Sequence, residues 1–328
     1  MLTNKCPPGD ARSRRGDGNG APGGPRISVI TPCLNGVRYI ADAIDSVVSQ
    51  CHEHTEHIVI DGGSTDGTLD VLRQYPHLKV VSGPDRGIYD ALNKGLALAR
   101  GDIIGVLNSD DCYGEEALSG ADHALRDESI MALVGGAVFF RDSGRGEQEV
   151  VGRFVPAEAD LLMLSTVLSP AFNSWFFRRS VFEKIGGFDT SYQIAGDREF
   201  MLRLALSGLP FGTVDWLICR YRVHPDSLTF GQDERAWDQM MREHVLMTDR
   251  YLHRPGLSVR ARHLIKQVRS RETLGMAVRS ARRLELKKLI FYSVAGIRRD
   301  PLWVARLGNR AVAALVRRIA FRASGARR

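Results

Sequence analysis

The sequence predicts an α/β protein in which a mixed, mainly parallel sheet is flanked by helices and followed by a basic helical extension. Two observations lead to this fold class. Short β-branched segments alternate with segments of helical period between residues 26 and 111. Residues 250–328 then carry 21 Lys and Arg against 3 acidic residues, a formal charge of +18, whereas residues 1–249 carry −11.

The first two strands are each followed by a helix. The segment "RISVITP" is a β-branched run closed by Pro32, and "VRYIADAIDSVVSQ" repeats apolar residues at helical spacing. The segment "EHIVIDGGSTDGTLDVLRQY" predicts a second strand over 57–61 and a glycine-rich turn. It then predicts a helix that continues through Tyr75 and has Ser64 or Thr65 as its N-cap.

Two more strands follow in the same manner. The segment "LKVVSGP" predicts a strand, "IYDALNKGLALAR" a helix and "GDIIGVLNSDD" a fourth strand. Strands joined by such right-handed crossovers form a Rossmann-like sheet, and ligands bind at the rim where the carboxyl ends of the strands meet. Because Asp61, Asp110 and Asp111 come at strand ends, we expect them on one rim.

The segments after residue 130 are less regular. "SIMALVGGAVFFRD" and "GEQEVVGRFVP" predict strands, "SPAFNSWFFRRSVFEKIGGFD" a strand and a short helix, and "GDREFMLRLALSG" a helix. Residues 258–328 predict basic amphipathic helices. We therefore expect a disordered tail at 1–25, an α/β domain at 26–235 and a basic helical region at 236–328.

The charge asymmetry points to an anionic partner for the basic region. A membrane surface is one such partner; a helical extension packed on the α/β domain is the alternative. No recognised nucleic-acid motif accompanies the charge, so no nucleic-acid partner is expected. The first 25 residues lack the apolar stretch of a secretory signal, and no run of 18 apolar residues occurs. We expect a cytoplasmic protein whose membrane contact is peripheral.

The adjacent carboxylates of Asp110 and Asp111 suggest a cation site. Like charges at a strand end repel each other unless a cation or a proton lies between them. Carboxylate oxygens suit Mg²⁺ or Mn²⁺, which complete their shells with water and substrate phosphates. The alternative is that "NSDD" caps the following helix, because Ser and Asp are favourable N-cap residues.

Asp61 has two interpretations. It closes an apolar strand and begins "DGGSTDGT", whose glycines allow a ligand to approach the backbone closely. Turn chemistry alone would also select Gly, Ser and Asp. The segment is not a dinucleotide fingerprint, because G-x-G-x-x-G is absent, and the phosphate loop G-x-x-x-x-G-K-[ST] is absent as well.

Five segments in order resemble glycosyltransferase family 2. They are "ISVITPCLNG", "HIVIDGGSTDGT", "GPDRGIYDALNKGLALARGDIIGVLNSDD", "GGFDTSYQIAGDREFMLRL" and "YRVHPDSLT". The segment "DRGIYDALNKG" is most similar to bacterial members that build polysaccharides or glycolipids. The resemblance implies the GT-A fold of nucleotide-diphospho-sugar transferases, an inverting mechanism, and Mn²⁺ or Mg²⁺ as the cofactor.

The resemblance also places the nucleotide. It implies that Asp61 contacts the base, usually uracil, and that residues 85–94 line the pocket. The D-x-D-like motif falls on Asn108 to Asp110; because relatives commonly have Asp in place of Asn108, the ion is assigned chiefly to Asp110 and Asp111. The residues expected to bind the nucleotide are Pro32, Leu34, Asn35, Asp61, Gly63, Ser64, Asp85, Arg86, Tyr89, Asn93, Lys94, Asn108, Ser109 and Asp110.

The implied catalytic base is Asp197. Gly196 and Asp197 match a Glu-Asp motif at the head of a helix, so this chain keeps only the second carboxylate. An inverting enzyme needs one base to take the proton of the acceptor hydroxyl. The alternative is an acidic residue that stabilises a helix N-terminus. His224 matches a His near the diphosphate and is the third expected metal ligand, although a lone His before Pro is more often structural.

The sequence thus leads to one main hypothesis. The chain moves a single sugar, from a UDP-sugar, to the hydroxyl of an acceptor sugar or lipid-linked glycan in bacterial cell-surface polysaccharide or glycolipid synthesis. A nucleotidyltransferase-like enzyme and a non-catalytic nucleotide-sugar-binding protein are the alternatives.

Overall fold

Between residues 27 and 106, strands and helices alternate in the predicted order. The computed structural model describes residues 26–143, 147–156, 160–168, 171–227 and 234–299. The strands are β1 Ile27–Cys33, β2 Thr55–Asp61, β3 Lys79–Ser82, β4 Ile103–Val106, β5 Cys112–Tyr113, β6 Ala132–Asp142, β7 Gln148–Phe154, β8 Trp175–Arg178 and β9 Phe211–Arg222. The helices are α1 Ile40–Val48, α2 Thr68–Leu72, α3 Ile88–Leu98, α4 Ala117–Ala124, α5 Leu161–Met163, α6 Arg179–Ile185, α7 Gly196–Ser207, α8 Glu234–Leu252, α9 Val259–Arg282 and α10 Leu286–Arg299.

One mixed sheet contains all nine described strands. Its order is β3-β2-β1-β4-β8-β6-β9-β5, and β7 pairs with β6. The pairs among β3, β2, β1 and β4 are parallel. On the other side β8 runs antiparallel to both β4 and β6, whereas β6 and β9 are parallel. The carboxyl ends of β1, β2 and β4 therefore meet at one rim, as predicted.

The core lies between this sheet and its helices. The buried residues of α1 are Ile40, Ala43, Ile44 and Val47, one face at the spacing of a 3.6-residue period. Those of β1, β2 and β4 are almost continuous, which is typical of parallel strands covered on both faces. This packing holds the strand ends in fixed positions.

Two local expectations need correction. Helix α2 begins at Thr68 rather than after Ser64 or Thr65, and it ends at Leu72 rather than at Tyr75. The cap prediction is wrong because the Ser64 hydroxyl accepts a hydrogen bond from the N–H of Asn35, 2.7 Å away in another loop. The "NSDD" segment does not cap a helix either, because β5 follows it directly and α4 begins only at Ala117.

The described residues divide into two compact units, the second of which begins at Glu234. In this second unit, α9 packs against both α8 and α10. No helix within the described ranges is both long enough and apolar enough to cross a membrane. The predicted tail at 1–25 and the predicted helical continuation at 300–328 lie outside the described residues.

Candidate functional site

The carboxylate of Asp61 organises the turn that follows β2. Asp61 is fully buried, and it accepts hydrogen bonds from the N–H groups of Gly63 and Ser64 and from the Ser82 hydroxyl, which lies at 2.6 Å. Burial alone would raise the pKa of Asp61, but the hydrogen bonds, led by those of Ser64 and Ser82, outweigh it and lower the pKa below its ordinary value. The carboxyl group is therefore ionised at neutral pH.

The loops after β1, β2 and β4 contact one another. The N–H of Asn35 donates to the Ser64 hydroxyl, and the Asn35 side chain accepts from the N–H of Thr65 at 2.9 Å. A side-chain carbon added at Gly36 would lie 3.4 Å from the hydroxyl oxygen of Ser109. The strand ends thus form a continuous surface. Leu34 is 60% exposed on it.

Two other residues expected to contact the nucleotide, Pro32 and Asp85, lie in different surroundings. Pro32 is buried inside β1, where it pairs with Ile60 of β2. Asp85 lies against the Asp61 turn, because a Cβ atom added at Gly62 would be 2.6 Å from its Oδ2 atom. The glycine allows this approach, so Asp85 and the Asp61 turn line one part of the rim.

The charged residues of α3 and its preceding turn form an ion-pair group. Asp90 pairs with Arg86 at 2.9 Å and with Lys94 at 3.3 Å, and the Lys94 ammonium also donates to the carbonyl of Pro84. The Arg86 side chain is 77% exposed. Asn93 exchanges two hydrogen bonds of 2.8 Å with the backbone of Phe188. Its amide therefore fixes α3 to the segment that precedes α7.

Asp110 and His224 come together at the rim. Asp110 lies in the loop after β4 and is partly exposed, and β9 returns the chain so that His224 follows it. Oδ2 of Asp110 is 2.9 Å from Nε2 of His224. Within the described ranges, no group of three or more His, Cys, Asp or Glu side chains is arranged to hold a metal ion.

Asp111 has its own set of partners and is 1% exposed. Its Oδ1 atom accepts from the N–H of Arg222 at 2.8 Å, and its Oδ2 atom accepts from the side-chain amides of Asn173 and Asn108. Burial, followed by the nearby charge of Asp110, raises the pKa of Asp111 well above its ordinary value. Asn108, the residue that departs from the family pattern, therefore helps to fix Asp111.

Arg222 connects β9 to the acidic loop. It is 2% exposed, and its Nε atom donates to the backbone carbonyl of Asp110 at 3.0 Å. Its guanidinium pairs with Asp42, 2.7 Å away, and with Asp142, and it lies 4.5 Å from the centre of the Tyr39 ring. A buried arginine with these partners holds the loop in place through paired charges and stacking.

Asp197 lies in the first turn of α7. Its Oδ1 atom accepts from the N–H of Arg198 at 2.7 Å and is 3.2 Å from the Tyr89 hydroxyl. Burial raises the pKa of Asp197 above its ordinary value, although the charge and N–H of Arg198 partly oppose this effect. A carboxyl group with a raised pKa is suited to general-base work.

Sequence reasoning missed several supporting residues. Ser82 ends β3 and so has the same strand-end position that identified Asp61, a signal that was available. Asp142 likewise ends β6, whereas Asn173 carries no such signal, because it reaches Asp111 only through the order of the strands in the sheet.

Comparison with known sequences identifies the family. Residues 28–186 match the family described as Glycosyl transferase family 2. An uncharacterized glycosyltransferase of Mycobacterium tuberculosis is 34% identical over 224 residues, which cover 65% of this chain and 84% of that relative. A PGL/p-HBAD biosynthesis glycosyltransferase of the same species is 30% identical over 185 residues, which cover 55% of this chain and 69% of the relative.

Comparison with solved structures identifies the fold. Staphylococcus aureus TarS 1–349 in complex with UDP-GlcNAc has a TM-score of 0.61 and 19% identity, and the match covers 84% of this chain and 81% of TarS. The mannosyltransferase PcManGT from Pyrobaculum calidifontis, in complex with GDP-Man and Mn²⁺, has a TM-score of 0.56 and 20% identity, covering 90% and 81%. The chain belongs to glycosyltransferase family 2 and has the GT-A fold.

Proposed function

We propose that this glycosyltransferase transfers one hexose from a UDP-sugar to an acceptor hydroxyl, with inversion at the anomeric carbon. The observation that carries the proposal is that three of the expected site carboxyl groups have different surroundings. Asp61 is ionised and enclosed by donors, Asp110 is paired with His224, and Asp197 has a raised pKa. These differences suit three roles: base recognition, diphosphate binding and proton removal.

The donor nucleotide would lie along the loops after β1, β2 and β3. Asp61 would accept a hydrogen bond from the imide of uracil. Ser64 and Asn35, which bind each other, would close one side of the base, and Asp85 the other. The structures of TarS with UDP-GlcNAc and of PcManGT with GDP-Man support a nucleoside diphosphate sugar as the donor. Exposed Leu34 would contact the base from above.

Asp110 and His224 fit a divalent ion such as Mn²⁺ or Mg²⁺. Carboxylate oxygen and imidazole nitrogen both bind such ions, and these two side chains already lie side by side, with Oδ2 of Asp110 2.9 Å from Nε2 of His224. Asp111 would act behind them, since three donors already bind its carboxyl group. A bound ion would neutralise the charge of the departing diphosphate.

Asp197 would be the base of the transfer step. Its carboxylate accepts the proton of the acceptor hydroxyl while that oxygen forms a bond to the anomeric carbon. The bond between this carbon and the diphosphate breaks at the same time, and UDP leaves with the electron pair. The N–H of Arg198 and the Tyr89 hydroxyl hold the carboxyl group in place at the end of α7.

The test uses the full chain, Mn²⁺ and a panel of UDP-Glc, UDP-Gal, UDP-GlcNAc and GDP-Man. We expect one UDP-sugar to raise the melting temperature and to release UDP slowly by hydrolysis, and a chelator to abolish both effects. Release of pyrophosphate would instead indicate a nucleotidyltransferase. Stabilisation with no release of UDP, even when candidate acceptors are added, would indicate a binding protein.

The proposal includes a lipid-linked acceptor and peripheral contact of the second unit with the inner face of an anionic membrane. Helix α10 carries an exposed apolar stripe, and at 100° per residue its members share one face. The stripe consists of Leu286 (66% exposed), Ile290 (62%), Val294 (41%) and Ile297 (52%). The exposed basic residues Lys287 and Arg298 border it. An apolar face with a basic edge is typical of a helix that lies in a membrane interface.

Vesicle flotation tests this contact. The full chain should bind vesicles that contain anionic phosphatidylglycerol and should bind pure phosphatidylcholine vesicles weakly. Ile290→Glu should reduce the binding at least tenfold. Leu246→Glu is the matched control, because Leu246 is 63% exposed on α8 and lies outside the stripe. Equal binding by the two variants would overturn the assignment of the stripe.

A further inference from the structure

The hydroxyl of Tyr89 faces two acceptors with one proton. Tyr89 is 5% exposed, and its hydroxyl oxygen lies 2.6 Å from the carbonyl oxygen of Ile194 and 3.2 Å from Oδ1 of Asp197. A phenol carries a single hydrogen, so it can donate fully to only one of these oxygens at a time. The partner of this hydrogen must therefore depend on whether Asp197 itself carries a proton.

Two hydrogen-bond arrangements satisfy these atoms. When Asp197 is protonated on Oδ2, its Oδ1 atom is uncharged and a weaker acceptor, so the Tyr89 hydroxyl donates to the carbonyl of Ile194. When Asp197 is ionised, the Tyr89 hydrogen turns toward the carboxylate, because a hydrogen bond to a charged acceptor is the stronger one. A general base passes between these two states in each transfer.

The packing around Tyr89 fixes its ring. The ring stacks on that of Phe188, with centroids 5.8 Å apart and an interplanar angle of 26°. On the side of α7, a Cβ atom added at Gly196 would lie 2.8 Å from Cδ2 of Tyr89. The Tyr89 ring therefore occupies space that a side chain at residue 196 would fill. The family motif has Glu at this position. The hydroxyl is thus held at the helix terminus.

We propose that Tyr89 is a positioning residue for the base Asp197: its hydroxyl holds Oδ1 and thereby leaves Oδ2 to receive the proton of the acceptor. The hydrogen bonds from the Tyr89 hydroxyl and from the N–H of Arg198 both reach Oδ1. The proposal rests on the proposed role of Asp197. Because the Tyr89 side chain is buried, we assign it this role instead of the direct nucleotide contact that the family resemblance implies.

The experiment compares full-length wild type with Tyr89→Phe, which keeps the ring and removes the hydroxyl. Loss of a donor disfavours the ionised form of Asp197, so the acid limb of the kcat/KM profile should move to higher pH, by about one unit. We expect kcat to fall about tenfold or more and KM for the UDP-sugar to stay within about twofold. The matched control is Tyr75→Phe, which removes a phenol–carboxylate hydrogen bond of 3.0 Å to Asp45 on another surface. Its profile should not move.

Three results would overturn the proposal. An unmoved acid limb in Tyr89→Phe would make the residue merely structural, and a raised donor KM with unchanged kcat would make it a nucleotide contact. If Tyr89→Phe does not fold, Gly196→Ala gives the same test, because its methyl group displaces the Tyr89 ring; wild-type kcat in that variant would be the third contrary result. If the wild type releases no UDP from any donor, the proposed function fails instead, and the variants are then compared by the pH at which Asp197 titrates in carboxyl NMR spectra.

Discussion

Nε2 of His224 lies 2.9 Å from Oδ2 of Asp110, although 114 residues separate them in the chain. Strand β9 makes this contact, because it pairs with β5 directly after the acidic loop, with Arg220 opposite Cys112. Arg222 strengthens the connection through the carbonyl of Asp110. The pairing of β9 with β5 therefore holds Asp110 and His224 next to each other.

This relationship predicts the effect of His224→Asn on metal binding. With one ligand weakened, the Mn²⁺ concentration for half-maximal stabilisation of the UDP-bound protein should rise on the order of tenfold or more. A thermal-shift titration with Mn²⁺ at fixed UDP measures this change. His123→Asn is the control, since His123 is exposed on α4. An unchanged midpoint in His224→Asn would remove His224 from the metal site.

Asp61→Asn should damage both the turn and donor binding. The amide would turn an NH₂ group toward the donors that now bind the carboxylate, which leaves hydrogen bonds of a buried side chain unmade and costs about 1–3 kcal/mol of unfolding free energy. Urea unfolding and UDP titration with Mn²⁺ measure the two effects. Asp70→Asn makes the same charge change at a side chain that is 76% exposed, and it should change neither the free energy of unfolding nor the affinity for UDP. Wild-type UDP affinity in Asp61→Asn would contradict the base-recognition role.

His57 should make the protein less stable in mild acid. It is 2% exposed on β2, and burial, assisted by His77, lowers the pKa of His57 from 6.5 to about 3. The unfolded chain therefore binds more protons between these values, so stability falls as the pH drops below about 6.5. Between pH 7 and pH 5, protonation linked to His57 alone lowers the free energy of unfolding by about 2 kcal/mol.

Urea unfolding of wild type and His57→Gln at pH 7 and pH 5 tests this linkage. Glutamine can still pair with the Thr31 hydroxyl, which is 2.9 Å from Nε2 of His57, but it does not titrate. The stability lost between the two pH values should shrink by about 2 kcal/mol in this variant. If both proteins lose the same amount, His57 is not the source of the acid sensitivity.

The rim could be predicted from the sequence because each of its strands produces a local sequence pattern. β1, β2 and β4 are apolar runs that end in polar residues, and parallel crossovers leave little choice about which ends meet. The strand-end rule was therefore enough to group Asp61 with Asp110. It could not separate Asp110 from Asp111, because adjacent residues share the same sequence signal.

What separates the two aspartates comes from distant parts of the chain. Asn173 precedes β8 and Arg222 ends β9, and only the sheet order brings both to Asp111. The two-residue strand β5 is likewise too short to leave a periodic signal. The cap of α2 was mispredicted for the same reason, since the partner of Ser64 is Asn35 in the preceding loop. Tertiary contacts overrode local preference at each of these positions.

Asp197→Asn should separate chemistry from donor binding. The amide keeps the size of the side chain but cannot accept the acceptor's proton, so transfer should fall about 100- to 10,000-fold. Stabilisation by UDP and Mn²⁺ should stay near that of wild type, because Asp197 is assigned to the acceptor side. Transfer by the wild type should itself decline as the pH falls, through a pKa above the ordinary aspartate value of 3.8, since the base must be ionised.

Sugar transfer, thermal shift and the pH profile are measured on the same preparations. Asp215→Asn on β9 makes the same change at an exposed carboxylate and should leave all three unchanged. Full transfer by Asp197→Asn would place the base elsewhere. Equal loss of transfer and of stabilisation by UDP would show that Asp197 supports the donor pocket, because a residue that acts only on the acceptor proton has no effect on the nucleotide.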